Sequence, residues 1–218
     1  MLRAALRSPE QGPTDALVRH WIFDMRLWTI HPIGVMESLQ NVGTLRVSSS
    51  YYHNMYVPWQ YEWLAERLVE RVPGYFGGLP WWLYCSKPDL RCVRHHYPRG
   101  AGQVRLELDT QPAAILPCWA WDVVHCGKYL SRTFEQHSRW HRRMRASVRD
   151  VDAWPLPEPR RSELEASWLC LFDKNLPRVG WQMDGTASDD SQEAVIEMLS
   201  LSDIVAVTHF HGTSRATL

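Results

Sequence analysis

Apolar positions recur along the chain in two rhythms, and the places where one gives way to the other mark its elements. Gln103-Val-Arg-Leu-Glu-Leu-Asp109 alternates, with Val104, Leu106 and Leu108 on one face and Arg105, Glu107 and Asp109 on the other, and so predicts a strand. Met25-Arg-Leu-Trp-Thr-Ile30 predicts an opening strand. After Pro32 the rhythm changes: Val35, Met36, Leu39 and Val42 are spaced for a helix that Gly43 stops, and Thr44 to Val47 follows as a short extended run. Pro58 starts a second helix to Arg71, with Trp59, Trp63, Leu64 and Leu68 as its apolar stripe, and Pro73-Gly74 ends it. A short aromatic strand, Leu79 to Cys85, runs into the turn Lys87-Pro-Asp-Leu-Arg91. Ala113 to Leu116 is a further apolar run, followed by a turn and a helix from Trp119 to Val124. Thr133 to Asp150 predicts an amphipathic helix with Trp140, Met144 and Val148 inside. Ser162-Glu-Leu-Glu165 has the form of a capping box for a helix to Phe172. Gln192 to Ser200 reads as a helix, and Asp203 to Phe210 as a final strand.

Mixed elements without a repeat predict an α+β fold: one compact domain, a central and mostly antiparallel sheet, helices flanking it. Residues 1–24 lack a core rhythm and read as a mobile extension, 25–212 as the domain, and 213–218 as a tail. The 218 residues are 45% hydrophobic and 22% charged, enough for one good core. Lys plus Arg and Asp plus Glu balance at 24 each, so no global field favours nucleic acid or an anionic membrane. Five cysteines, an odd number without repeated spacing and without a cleavable signal before them, predict reduced thiols in a cytoplasm. Twelve tryptophans spread over the whole chain read as core anchors, each with a partner for its indole N–H. No apolar run has the length to cross a membrane.

The Trp-Thr-Ile opening, the turn Pro88-Asp-Leu-Arg91, the strand at Val104 and the closing pairs Ser167-Trp168 and Phe172-Asp173 resemble a bacterial family known as domain of unknown function 3841. The resemblance runs from about Met25 to Phe210 and implies one intact domain, without an activity. His31 departs from the pattern, since the family more often carries Gln there.

Three constellations carry candidate chemistry. The segment from Trp81 and Trp82 to Lys87, Asp89 and Arg91 has the composition of a pocket wall and rim: Arg91 offers a planar fork to a phosphate or carboxylate, Lys87 a point charge, and the indoles a stacking face. The alternative is local, with Asp89 capping the turn or pairing with Arg91. In the second, a polar residue at a strand end (His31), an aromatic loop (Tyr51, Tyr52, with His53 beside them) and a strand glutamate (Glu107) follow one another in an order that loosely resembles the ADP-ribosyltransferase superfamily. That resemblance implies an NAD site in which His31 and the tyrosines hold the dinucleotide and Glu107 stabilises a developing oxocarbenium charge; otherwise Glu107 is a solvated sheet residue. Third, Arg139, Arg142, Arg143, Arg145 and Arg149 form a basic helix face, either a grip for nucleic-acid phosphates or a solvated surface. Cys85, Cys92, His95 and His96, like Cys118, His125 and Cys126, have gaps too long for paired zinc ligands, so no metal is expected. The functional expectation is a nucleotide-binding, transferase-like pocket; the alternative is a noncatalytic module for a protein or nucleic-acid partner.

Overall fold

The computed structural model describes residues 25–48, 58–147, 156–177 and 191–214. β1 (Arg26–Pro32) leads directly into α1 (Ile33–Val42). That helix stops where the sequence predicts: Gly43 takes φ 80° and its N–H closes onto the Leu39 carbonyl, a backbone geometry that a side chain would resist. β2 (Thr44–Arg46), α2 (Pro58–Arg71), β3 (Trp81–Tyr84) and the four-residue α3 (Leu90–Val93) follow. Then come β4 (Gly102–Asp109), β5 (Ala114–Pro117), α4 (Cys118–His125), α5 (Phe134–Ser147) and α6 (Arg160–Trp168). β6 (Gln192–Ile196), β7 (Met198–Ser200) and β8 (Ile204–His211) complete the chain.

Six strands form one sheet in the order β5-β6-β3-β1-β4-β8, every pair antiparallel, and β2 pairs with β7 in a small second sheet. Alternation sends Leu27, Leu83, Leu106, Leu108, Ala194 and Ile196 to one face, where α1 and the small sheet cover them through Met36, Leu39 and Leu199. On the opposite face Val195 joins the larger core built by α2, α4, α5 and α6, with Trp63, Trp119, Trp121, Trp140 and Trp168 inside it. The sheet is therefore sandwiched, and the fold is the expected compact α+β arrangement.

Two local expectations give way to tertiary context. Gln192–Ser200 is not a helix but β6 and β7. Its Glu, Ala, Met and Leu suit a helix, yet β6 is a central strand whose Ala194, Val195 and Ile196 are all buried, and a strand covered on both faces shows a continuous apolar run rather than alternation. Ser162 does not cap α6, which begins at Arg160 on the carbonyl of Pro157. Ser162 instead donates its backbone N–H and its hydroxyl to the Glu158 carboxylate, and Glu165 takes the indole N–H of Trp59 and the guanidinium of Arg161.

The loop before β3 is held by Glu197, at the turn between β6 and β7. Its carboxylate accepts the N–H of Phe76 and of Gly78 at 3.0 Å each and binds Arg46 at 2.5 Å, which keeps it below the usual carboxylate range against the effect of its partial burial. A Cβ on Gly78 would stand 3.0 Å from the Glu197 side chain, so glycine permits this approach. The clamp fixes where β3 starts.

Candidate functional site

β1 and β3 pair at Trp28↔Tyr84, and beyond that point the two strands part. The Thr29 hydroxyl donates to the Trp82 carbonyl at 3.0 Å, a side chain spanning the gap. Because that donation uses the hydroxyl proton, the 2.8 Å contact between Thr29 Oγ1 and His31 Nε2 requires His31 to donate from Nε2–H, which leaves its Nδ1 as an acceptor. The ring of His31 meets that of Trp81 edge-on at 4.9 Å, and Trp81 is itself fixed by donating its indole N–H to the Leu45 carbonyl at 3.0 Å. Burial pushes His31 down to about 4, so the imidazole is neutral at physiological pH.

Where the strands part, a cavity of about 210 Å³ opens, lined by Thr29 and His31 from one face of the sheet and by Ile30, Trp82, Tyr84, Glu193 and Tyr61 from the other. Lining from both faces means that it passes between the strands. Trp82 stacks on Trp121 at 4.5 Å, with Tyr61 edge-on to both. The Trp82 Nε1–H is buried and has no partner among the described residues.

Glu193 stands opposite Tyr84 in the β3–β6 ladder. Burial, then the charge of Asp122, lifts its carboxyl to about 7, although a hydrogen bond from the Cys118 thiol opposes the shift. Asp122 is raised by its own burial, which His125 partly offsets, and the Tyr84 hydroxyl is raised by burial and then by Glu193. The cavity thus joins a carboxyl raised toward neutrality, a neutral imidazole and four aromatic side chains, Tyr61, Trp81, Trp82 and Tyr84. Perturbed groups converging on one cavity mark a site for binding or proton transfer.

Of the residues singled out by sequence, His31, Trp81 and Trp82 line this cavity. Tyr51, Tyr52 and His53 lie outside the described residues. Glu107 faces elsewhere: opposite Trp28 on the helix-core side of the sheet, it takes that indole N–H at 3.3 Å and has Lys87 Nζ at 4.0 Å. The Lys87–Arg91 turn lies beside it, anchored by Arg105, which donates to the Pro88 carbonyl at 2.9 Å. Asp89 caps α3 by accepting the N–H of Arg91 and also takes the Arg91 guanidinium at 2.8 Å, so the two satisfy each other on the surface. Those bonds hold Asp89 down to about 2.

Tyr84 lies within the Trp81–Arg91 segment that the sequence singles out and also lines the cavity, whereas sequence reasoning missed Thr29, Tyr61 and above all Glu193. Its signal was a carboxylate beside Ala194, Val195 and Ile196, hidden by the helical reading of that run. Among the described residues no group of three His, Cys, Asp or Glu side chains could hold a metal ion, and no helix is long and apolar enough to cross a membrane.

An antiparallel sheet parted over a half-open cavity lined by polar and aromatic side chains defines a small α+β domain with a candidate binding site. The chain belongs to the family described as domain of unknown function (DUF3841), which it matches over residues 26–196, from β1 to the end of β6 and so across every strand that lines the cavity. No curated protein and no solved structure matches it.

Proposed function

We propose that the domain binds a small planar ligand with an amide or lactam edge in the cavity between β1 and β3, the nucleobase or nicotinamide end of a nucleotide being such a group. The observation that carries this reading is Glu193. A carboxyl lifted to about 7 is present in both forms near neutrality, and its protonated form donates to a carbonyl while accepting from a neighbouring N–H. His31 Nδ1 adds an acceptor, and Trp81, Trp82 and Tyr61 supply ring faces and edges. About 210 Å³ holds a ring rather than a dinucleotide, so ribose and phosphates would remain at the mouth. In an ADP-ribosyl transfer the cavity carboxylate beside the glycosidic carbon would be Glu193, not Glu107. The test is calorimetry and thermal shift with nicotinamide, uracil, adenine, their nucleosides and NAD. Saturable stabilisation by amide-edged rings, lost in Glu193→Ala, is expected; no stabilisation by any of them, or equal stabilisation in that variant, removes the reading.

A second reading, the noncatalytic nucleic-acid module, draws on α5. Arg139 pairs with Glu135 and Arg143 with Glu163, whereas Arg142 and Arg145 line an open groove with His137, His141 and the 60% exposed Phe134. Arg149 lies outside the described residues. Cations beside an exposed ring suit a single strand, through phosphate contacts and base stacking. Binding of a single-stranded RNA that weakens with salt and is lost in the Arg142→Glu, Arg145→Glu double variant would support it; salt-independent or absent binding would not.

A further inference from the structure

β8 ends the sheet order, so its outer row of backbone N–H and C=O groups meets no other strand among the described residues. Natural sheets guard such an edge with Lys, Pro, inward charges, bulges or very short strands. The opposite edge follows that practice: β5 has four residues, ends in Pro117 and turns at once into α4. β8 does not. It has eight residues, Ile204-Val-Ala-Val-Thr-His-Phe-His211, with no Lys, Arg, Asp, Glu or Pro, and Val205 and Val207 are 48% and 36% exposed. The bulge against Leu108 falls at Val205 and leaves Ala206–His211 in regular register.

Charge along this edge is uneven. Asp203 stands at the start of β8, while Arg94, His95, His96 and Arg99 gather at its far end, where Thr213 donates its N–H to the Arg94 carbonyl at 2.9 Å and its hydroxyl lies 2.9 Å from His95 Nδ1. Two copies of this edge running antiparallel bring the acidic start of each against the basic end of the other. Parallel copies would set like against like.

We propose that β8 pairs antiparallel with β8 of a second copy of this chain, joining two six-stranded sheets into one across a two-fold axis. Directly opposed residues of an antiparallel pair share a face, so the axis must pass beside a residue that meets itself. With the axis at Val207, the exposed Val207 side chains of the two copies cover each other and the Asp203 end of each strand faces the His211 end of the other. In the strand order β4 separates this edge from the cavity between β1 and β3.

Sedimentation equilibrium of the full chain tests this, with twice the chain mass expected. Val207→Lys places two ammonium groups against each other and should give a folded monomer, with an unchanged circular dichroism spectrum. Val207→Cys brings two thiols within disulfide reach, and mild oxidation should yield a reducible covalent dimer that the wild-type chain does not form. A wild-type chain that sediments as a monomer overturns the proposal, as does a folded Val207→Lys variant that remains dimeric. Should the Lys variant unfold, the Cys variant decides: cross-linking supports the pairing, and its absence sinks it.

Discussion

The Thr29 hydroxyl stands 3.0 Å from the carbonyl oxygen of Trp82, across the place where β1 and β3 cease to pair, and donates to it. One side chain thus satisfies a carbonyl at the parting of the strands and orients His31 at the same time. Thr29 is 2% exposed, so Thr29→Val, similar in shape, leaves that carbonyl and the His31 Nε2–H without this partner. The expected loss is about 1–3 kcal/mol in denaturant unfolding, larger than a surface Thr→Val change would give.

His31 should make the fold acid-sensitive. Its value is lowered from 6.5 to about 4, so the folded state favours the neutral ring: the associated stability is full above pH 6.5 and is lost as pH falls toward 4. The shift corresponds to at most about 3 kcal/mol. His31→Gln, which keeps an N–H donor for Thr29 without titrating, should remove this contribution, so its thermal midpoint relative to wild type should rise as pH falls from 6.5 toward 4. An unchanged slope would show that the ring titrates normally.

Glu193 acts in the opposite direction. Raised from 4.5 to about 7, it favours the protonated form in the folded state, so stability declines as pH rises from 4.5 through 7. Glu193→Gln should therefore be more stable than wild type at pH 8, by at most about 3 kcal/mol, and similar to it at pH 4.5. Ligand affinity in the wild type should change around pH 7, and in the variant it should not.

Trp82→Phe keeps a ring against Trp121 and removes the unpaired N–H. An unsatisfied buried donor costs about 1–3 kcal/mol, which offsets the smaller apolar area of Phe, so denaturant unfolding should be near neutral. A clear loss of stability would mean that the indole N–H is satisfied in the folded protein.

Arg91→Ala and Glu107→Gln separate the cavity from the surface cluster. Arg91 is 86% exposed and bound to its neighbour Asp89, and Glu107 bonds Trp28, so neither change should alter ligand affinity measured by calorimetry, and the Arg91 variant should keep its thermal midpoint. A loss of binding in either would place the ligand over the Lys87 turn instead.

How far the sequence reaches can be followed residue by residue. Alternation at Val104, Leu106 and Leu108, the helix between Pro32 and Gly43, and the stripe from Trp59 to Leu68 are local signals, and each forms as read because its burial agrees with its own period. Trp81 and Trp82 could be chosen as pocket residues, since two indoles beside charges are unusual. Tertiary structure alone decided the rest. Burial on both faces turned Gln192–Ser200 into strands against its helical composition, and that pairing brought Glu193 beside Tyr84, over a hundred positions earlier in the chain. The Lys87 turn, prominent in sequence, closed on itself because Asp89 and Arg91 are close enough to satisfy one another. The cavity exists because β1 and β3 diverge after one registered pair, and such a gap between strands leaves no periodicity in either of them.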